Sequence, residues 1–254
     1  MKLFLKATAA ILAALAIASC AQRTDSTEPI PFVPGASTIH KEIQAGYLEG
    51  KTTLANFPVV HWQSSDVLAI WDGYARRAFT VKRWTNTGPR ATFEGNVAEE
   101  ASALTALYPA SSFVSCEGDR VTAIIPPVQA IASGACNDAG ATVALGKVGD
   151  GDEVSLLNAT GLVKISIGSS HAGKINSVTL RGAAGEVLSG TAVFNSGTGR
   201  LEKVTEPCET VTIEAEDGGT LAAGSYAGKA FKGLFPAFQD SFRHGGIRFI
   251  GRSA

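Results

Sequence analysis

From Phe57 onward the chain is a succession of short runs of strand-forming residues set between turn signals, and no stretch holds a helical period long enough to compete. Val67 to Trp71 leads through Asp72-Gly73 into Ala78 to Val81, the pattern of a hairpin. Ala91 to Glu94 is a further strand. Leu104 to Tyr108 runs up to Pro109, and Val121 to Ile125 up to Pro126-Pro127, where a missing backbone N–H stops ladder pairing. The second half keeps the same grammar. Leu162 to Ile167 alternates, with Val163, Ile165 and Ile167 on one face and Lys164 and Ser166 on the other. Ile175 to Leu180, Val187 to Leu188, Ala192 to Phe194 and Val211 to Ala215 follow, parted by turns such as Asn195 to Gly199 and Asp217-Gly218-Gly219. Only Val97 to Leu104 is expected to form a short helix. This spacing predicts an all-β protein of two consecutive antiparallel β-sandwich domains, residues 51–158 and 159–254, divided near Asn158 to Gly161.

The first twenty residues set the compartment. Lys2 and Lys6 form a basic start, Ala7 to Ile17 an apolar run, and Ala18-Ser19-Cys20 a small-residue cleavage end. A bilayer span needs about 20 apolar residues, so a cleaved signal over residues 1–19 is expected rather than a retained helix. Ile17-Ala18-Ser19-Cys20 resembles the bacterial lipobox, which makes Cys20 the candidate lipidation site and the membrane a partner through the acyl chains. Each buried CH₂ adds about 0.8 kcal/mol, so two or three chains would hold the protein there durably. Residues 20–50 are polar, carry Pro29, Pro31 and Pro34, and are expected to be a lipid-anchored linker or pro-segment.

Charge and chemistry-bearing residues exclude more than they propose. The 22 Lys and Arg against 23 Asp and Glu leave a formal net charge of -1, which offers no electrostatic hold on nucleic acid. Beyond Cys20 there are Cys116, Cys136 and Cys208. In an oxidising compartment Cys116 and Cys136 are the candidate disulfide pair, because both flank one strand-and-loop segment. The absence of C-x-x-C removes the usual zinc and thioredoxin-type readings, and His40, His61, His171 and His244 show no metal-ligand spacing. Gly168 to Lys174 reads G-x-x-x-x-G-K, but Ile175 stands where a phosphate loop needs Ser or Thr. Gly149 to Glu153 gathers three carboxylates without the ligand ladder of a calcium loop, so a solvated acidic turn is expected. Trp62 and Trp84 could stack on a sugar ring, whereas Trp71 lies in an apolar strand and is assigned to the core. No G-x-S-x-G, H-E-x-x-H or cysteine-nucleophile motif occurs. Neither catalysis nor a metal or cofactor is therefore expected.

In order along the chain, several short segments resemble the fimbrillin family of Bacteroidetes, the lipoprotein pilins and adhesins. Trp62-Gln63-Ser64-Ser65-Asp66 followed by Val67 to Trp71 and Asp72-Gly73 is similar to the family's W-x-x-G-D, strand and turn, with Ser65 in place of Gly. Ala91-Thr92-Phe93-Glu94-Gly95 resembles its A-x-F-x-G step. Tyr108-Pro109 resembles its Y-P, and Ile125-Pro126-Pro127-Val128-Gln129 its I-P-x-x-Q. Leu162-Val163-Lys164-Ile165, Leu188-Ser189-Gly190 and Gly224-Ser225-Tyr226 are similar to later strand and turn elements. The residues have structural work of their own: Trp62 packing a sheet edge, Asp66 tying down a turn, Tyr108-Pro109 and Pro126 ending strands, and Gln129 satisfying backbone groups left unpaired nearby.

The resemblance implies a fimbrillin- or transthyretin-like pair of sandwiches and a surface-exposed, lipid-anchored outer-membrane protein. It further implies a subunit, anchor or accessory subunit of type V-like adhesive pili. In such a subunit a protease removes the first strand, and the groove accepts a strand from another pilin, so the implied partners are other pilin subunits, self or accessory, and a host or bacterial surface glycan or protein. Cleavage follows a basic residue ahead of the body, which makes Lys51 the candidate processing site although the family residue is usually Arg. The C-terminal end departs from the pattern, Pro236 coming well after Tyr226. That end is expected to be truncated or frame-shifted, leaving the second domain incomplete, or else to be a variant donor segment. The alternative reading is a cell-surface glycan-binding lipoprotein acting through Trp62 or Trp84.

Overall fold

A computed structural model describes residues 37–47, 62–84, 90–132, 141–182, 185–216, 218–231 and 247–253. The first ten strands are β1 Thr38–Tyr47, β2 Val67–Trp71, β3 Arg76–Trp84, β4 Arg90–Ala98, β5 Thr105–Tyr108, β6 Phe113–Glu117, β7 Arg120–Ile125, β8 Val128–Ile131, β9 Ala144–Lys147 and β10 Glu153–Asn158. Then come β11 Thr160–Ile167, β12 Ile175–Gly182, β13 Ser189–Asn195, β14 Leu201–Cys208, β15 Thr210–Ala215, β16 Gly224–Phe231 and β17 Ile247–Ser253. A 3₁₀ turn, Ala110–Ser112, lies between β5 and β6. The chain is all-β. The helix expected over Val97 to Leu104 does not form: Val97 and Ala98 complete β4, buried at its inner end, and Thr105 already starts β5.

Seven strands close into a barrel in the order β1-β10-β9-β5-β2-β3-β4. The expected hairpin is there, with Val67 opposite Thr80 and Trp71 opposite Arg76 across Asp72-Gly73. The barrel interior holds Ile43, Leu68, Ile70, Phe79, Phe93 and Leu156, all fully buried. Period-two alternation turns the next residues outward, where Ala69, Leu107 and Leu145 pack against Phe113, Val121, Ile125, Phe194 and Phe231. The short strand β5 is thus buried on both faces, which is why it reads as a continuous apolar run.

The other described strands form three smaller sheets, ordered β11-β16, β17-β12-β15-β8 and β14-β13-β7-β6. The division expected at 158/159 falls between β10 and β11, and the sheets run across it. β7 pairs with β13 and β8 lies parallel to β15, so strands from before residue 158 complete sheets built after it. In β13, Gly190 has φ +116°, and a Cβ there would meet the Glu206 carbonyl oxygen at 1.9 Å; only glycine lets β14 approach so closely.

Two further expectations are corrected. Residues 38–47, placed in a polar linker, are the strand β1: Ile43 and Ala45 are fully buried, and alternation with polar neighbours is the signature of a half-buried strand. The disulfide expected between Cys116 and Cys136 is not formed. Cys116 is a free thiol buried against the second core cluster, with its Sγ donating to the Gly118 carbonyl at 3.5 Å, while Cys208 is the disulfide-bonded cysteine. Cys136 itself lies outside the described residues.

Candidate functional site: the seat of the first strand

β1 closes the barrel. On one side it runs antiparallel to β4, from Thr38 opposite Ala98 to Gly46 opposite Arg90. On the other it lies parallel to β10, from Gln44 opposite Glu153 to Tyr47 opposite Leu156. Every other pairing in the barrel is antiparallel. Parallel pairing is slightly weaker per residue, so the β1–β10 seam, with Gln44 to Tyr47 opposite Glu153 to Leu156, holds less firmly than an antiparallel pairing of the same length. Leu48-Glu49-Gly50 separates the end of β1 from Lys51, and Lys51, like Cys20, lies outside the described residues.

The inward face of β1 carries Ile43, Ala45 and, at its end, Tyr47. Tyr47 stacks on Trp62 with ring centroids 5.1 Å apart and planes 19° from parallel. Trp62 meets Phe93 and Tyr108 edge-on at 5.0 and 5.1 Å, geometry that favours the positive ring edge over the negative ring face. The Tyr108 hydroxyl donates to Asp66 Oδ1 at 2.8 Å, and Asp66 Oδ2 accepts the Gln63 backbone N–H at 2.7 Å. Three residues singled out in the sequence, Trp62, Asp66 and Tyr108, therefore converge at the end of β1, and Pro109 directly follows Tyr108 at the end of β5. Burial, with Tyr108 and Asp66 nearby, raises the Tyr47 phenol well above its ordinary pKa, and its buried hydroxyl finds no hydrogen-bond partner among the described residues. Trp62 is only 3% exposed, which removes it as a sugar platform; Trp84 remains exposed, and Trp71 is half-buried and stacked on Phe113.

The outward face of β1 is matched by charge. Glu42 accepts from Lys82 at 2.6 Å and lies 3.5 Å from Arg83, while Lys82 also reaches Glu94 at 2.9 Å. His40 lies 3.6 Å from Glu94, and Arg90 donates to the Gln44 side chain at 3.3 Å. The hydrogen bond from Lys82 lowers the Glu42 pKa, and Glu42 and then Glu94 raise that of Lys82. His40, Glu42 and Glu94 bring ligand atoms within 4.8 Å of one another, but Lys82 touches both carboxylates and already compensates their charge. At the open end Lys41 pairs with Asp152 of the acidic turn, and the Asp152 carbonyl accepts the Gln44 N–H at 2.9 Å.

Pro126 and Gln129 sit elsewhere. The buried Gln129 amide donates to the Lys229 carbonyl at 2.6 Å and to the Pro126 carbonyl at 3.3 Å, and it accepts the Lys229 N–H at 2.8 Å, tying β8 to β16. Sequence reasoning missed the reach of Asp72. Its buried carboxylate accepts the Tyr74 and Ala75 N–H groups at the β2–β3 turn at 2.9 and 2.7 Å. It also accepts Arg77 Nε at 2.6 Å and the distant Ala98 N–H at 2.9 Å. The Asp-Gly turn signalled the first two contacts, and nothing local signalled the last.

No helix among the described residues is long and apolar enough to cross a membrane. No family model matches the chain, and no curated protein matches it.

Proposed function

We propose that this chain is a fimbrillin-like surface lipoprotein, a structural, anchor or accessory subunit of adhesive pili that assembles by strand exchange, and not an enzyme. The observation that carries the reading is the position of β1. It is the first described strand, it closes the barrel through a parallel seam, and a basic residue, Lys51, follows it closely in sequence. Cutting there would free β1 covalently while leaving the rest of the barrel wall continuous from β2 to β10. Its departure would expose the backbone edges of β4 and β10 and an apolar floor, a template for a strand from a neighbour. Cys20 would hold the precursor on the outer membrane through its acyl chains.

In this reading the barrel half stands for the first sandwich unit of the family, and the three other sheets, completed by β6–β8, for the second. The glycan-binding alternative loses support with Trp62 buried, since Trp84 alone of the two candidates remains exposed. Comparing unheated and boiled outer-membrane and shed fractions by immunoblot tests the proposal. A high-mass ladder that collapses to one band on boiling is expected; a single membrane-bound band under both conditions overturns it.

A further inference from the structure

We infer that the vacated seat of β1 selects a partner strand bearing an acidic side chain at the position of Glu42 and apolar side chains at those of Ile43 and Ala45, and that it rejects β17 of a second copy. The inference rests on the strand-exchange reading and specifies its partner. Two faces of the seat set the requirement. Inside, Ile43 and Ala45 are fully buried, so an occupant must offer apolar side chains of modest size at alternate positions. Outside, Lys82 and Arg83 both engage Glu42, and Glu94 alone shares Lys82. Loss of β1 would leave two cations beside one carboxylate at that point, and Asp152 without Lys41.

The last described strand, β17, fits neither face. Ile247-Arg248-Phe249-Ile250-Gly251-Arg252-Ser253 contains no acidic residue, so no register and no strand direction brings a carboxylate to Lys82 and Arg83. Arg248 and Arg252 share one face of an extended strand with Ile250. Turned inward, that face would bury guanidinium groups where Ile43 and Ala45 now sit; turned outward, it would set them against Lys82 and Arg83. Like-charge juxtaposition of this kind is how an interface rejects a wrong partner. In the structure β17 is instead paired with β12, from Ser253 opposite Ile175 to Ile247 opposite Gly182.

The test uses the full chain carrying a site-specific protease sequence at Gly50-Lys51-Thr52, cut after folding and then offered fluorescent peptides in excess. The peptide of residues 37–49 is expected to exchange into the seat. Its E42K version is expected to bind about tenfold more weakly in low salt. The K82E protein is expected to restore binding of the E42K peptide, and the difference to shrink near 0.5 M salt as screening tightens. A peptide of residues 246–254 is expected not to compete. Equal binding of the wild-type, E42K and β17 peptides overturns the inference and leaves strand exchange standing, whereas failure of every peptide to enter overturns both.

Discussion

Tyr47, the last residue of β1, lies flat against Trp62 at 5.1 Å, so the strand proposed to leave the barrel is anchored at its exit by an aromatic pair formed with the opening motif of the body. This contact ties the closing strand to the residues that also fix the following turn, because Tyr108 packs edge-on against Trp62 and hydrogen-bonds Asp66.

Trp62→Ala should remove the floor under Tyr47, Phe93 and Tyr108 together and cost about 3–5 kcal/mol in urea unfolding. In the cut protein the same change should speed loss of the 37–49 segment, whereas Trp84→Ala should leave both measurements near wild type.

Tyr47→Phe should be neutral or stabilise by about 1 kcal/mol, because it removes a buried hydroxyl that has no partner among the described residues while keeping the stack on Trp62. The midpoint of chemical unfolding checks this.

Asp72→Ala should cost about 3 kcal/mol, since it leaves Arg77 and three backbone N–H groups without their acceptor. Desolvation alone would raise the Asp72 pKa, but the hydrogen bonds from Ala75, Ala98, Arg77 and Tyr74 outweigh it and the net shift is downward from 3.8. The folded value then lies below the unfolded one. The carboxylate contributes fully above the unfolded value, and the contribution is lost as pH falls through the lower folded value. Asp72→Asn should flatten that acid limb in a pH series of urea melts.

Gly95→Ala should destabilise by about 1–3 kcal/mol, because its Cβ would fall 2.5 Å from the Phe79 ring and 2.9 Å from the Ala78 carbonyl oxygen. Phe79→Leu in the same background should recover part of the loss, which separates crowding from a general weakness of β4.

Burial pushes the Cys116 thiol up to about 11, so it should resist alkylation at pH 8 in the native protein and react once the chain is unfolded. A non-reducing peptide map should show the Cys208 peptide cross-linked and the Cys116 peptide free. If the sulfur of Cys20 carries lipid, Cys136 is the partner that the map should return.

Much of the strand content was readable because β-patterns and turn residues agree locally. Val67 to Val81 and Val121 to Ile125 are examples. Separate structural roles for Trp62, Asp66 and Tyr108 were suggested by their motifs, though their convergence and their meeting with Tyr47 were not. β1 was hidden because its outward face is polar and charged and it follows three prolines, so composition suggested a tether. Its pairing with β4 and β10 is set by contacts remote in sequence. The same distance problem hid the sharing of β6–β8 with the second half and the state of Cys116: local spacing reports which residues can form strands, not which strands they will join.

The most direct test of the account is the N-terminus of the subunit in assembled fibres, read by sequencing the band released on boiling. The account predicts that it begins at Thr52, with β1 removed after Lys51. A polymerised subunit that still begins at Cys20 and retains residues 38–47 would contradict it.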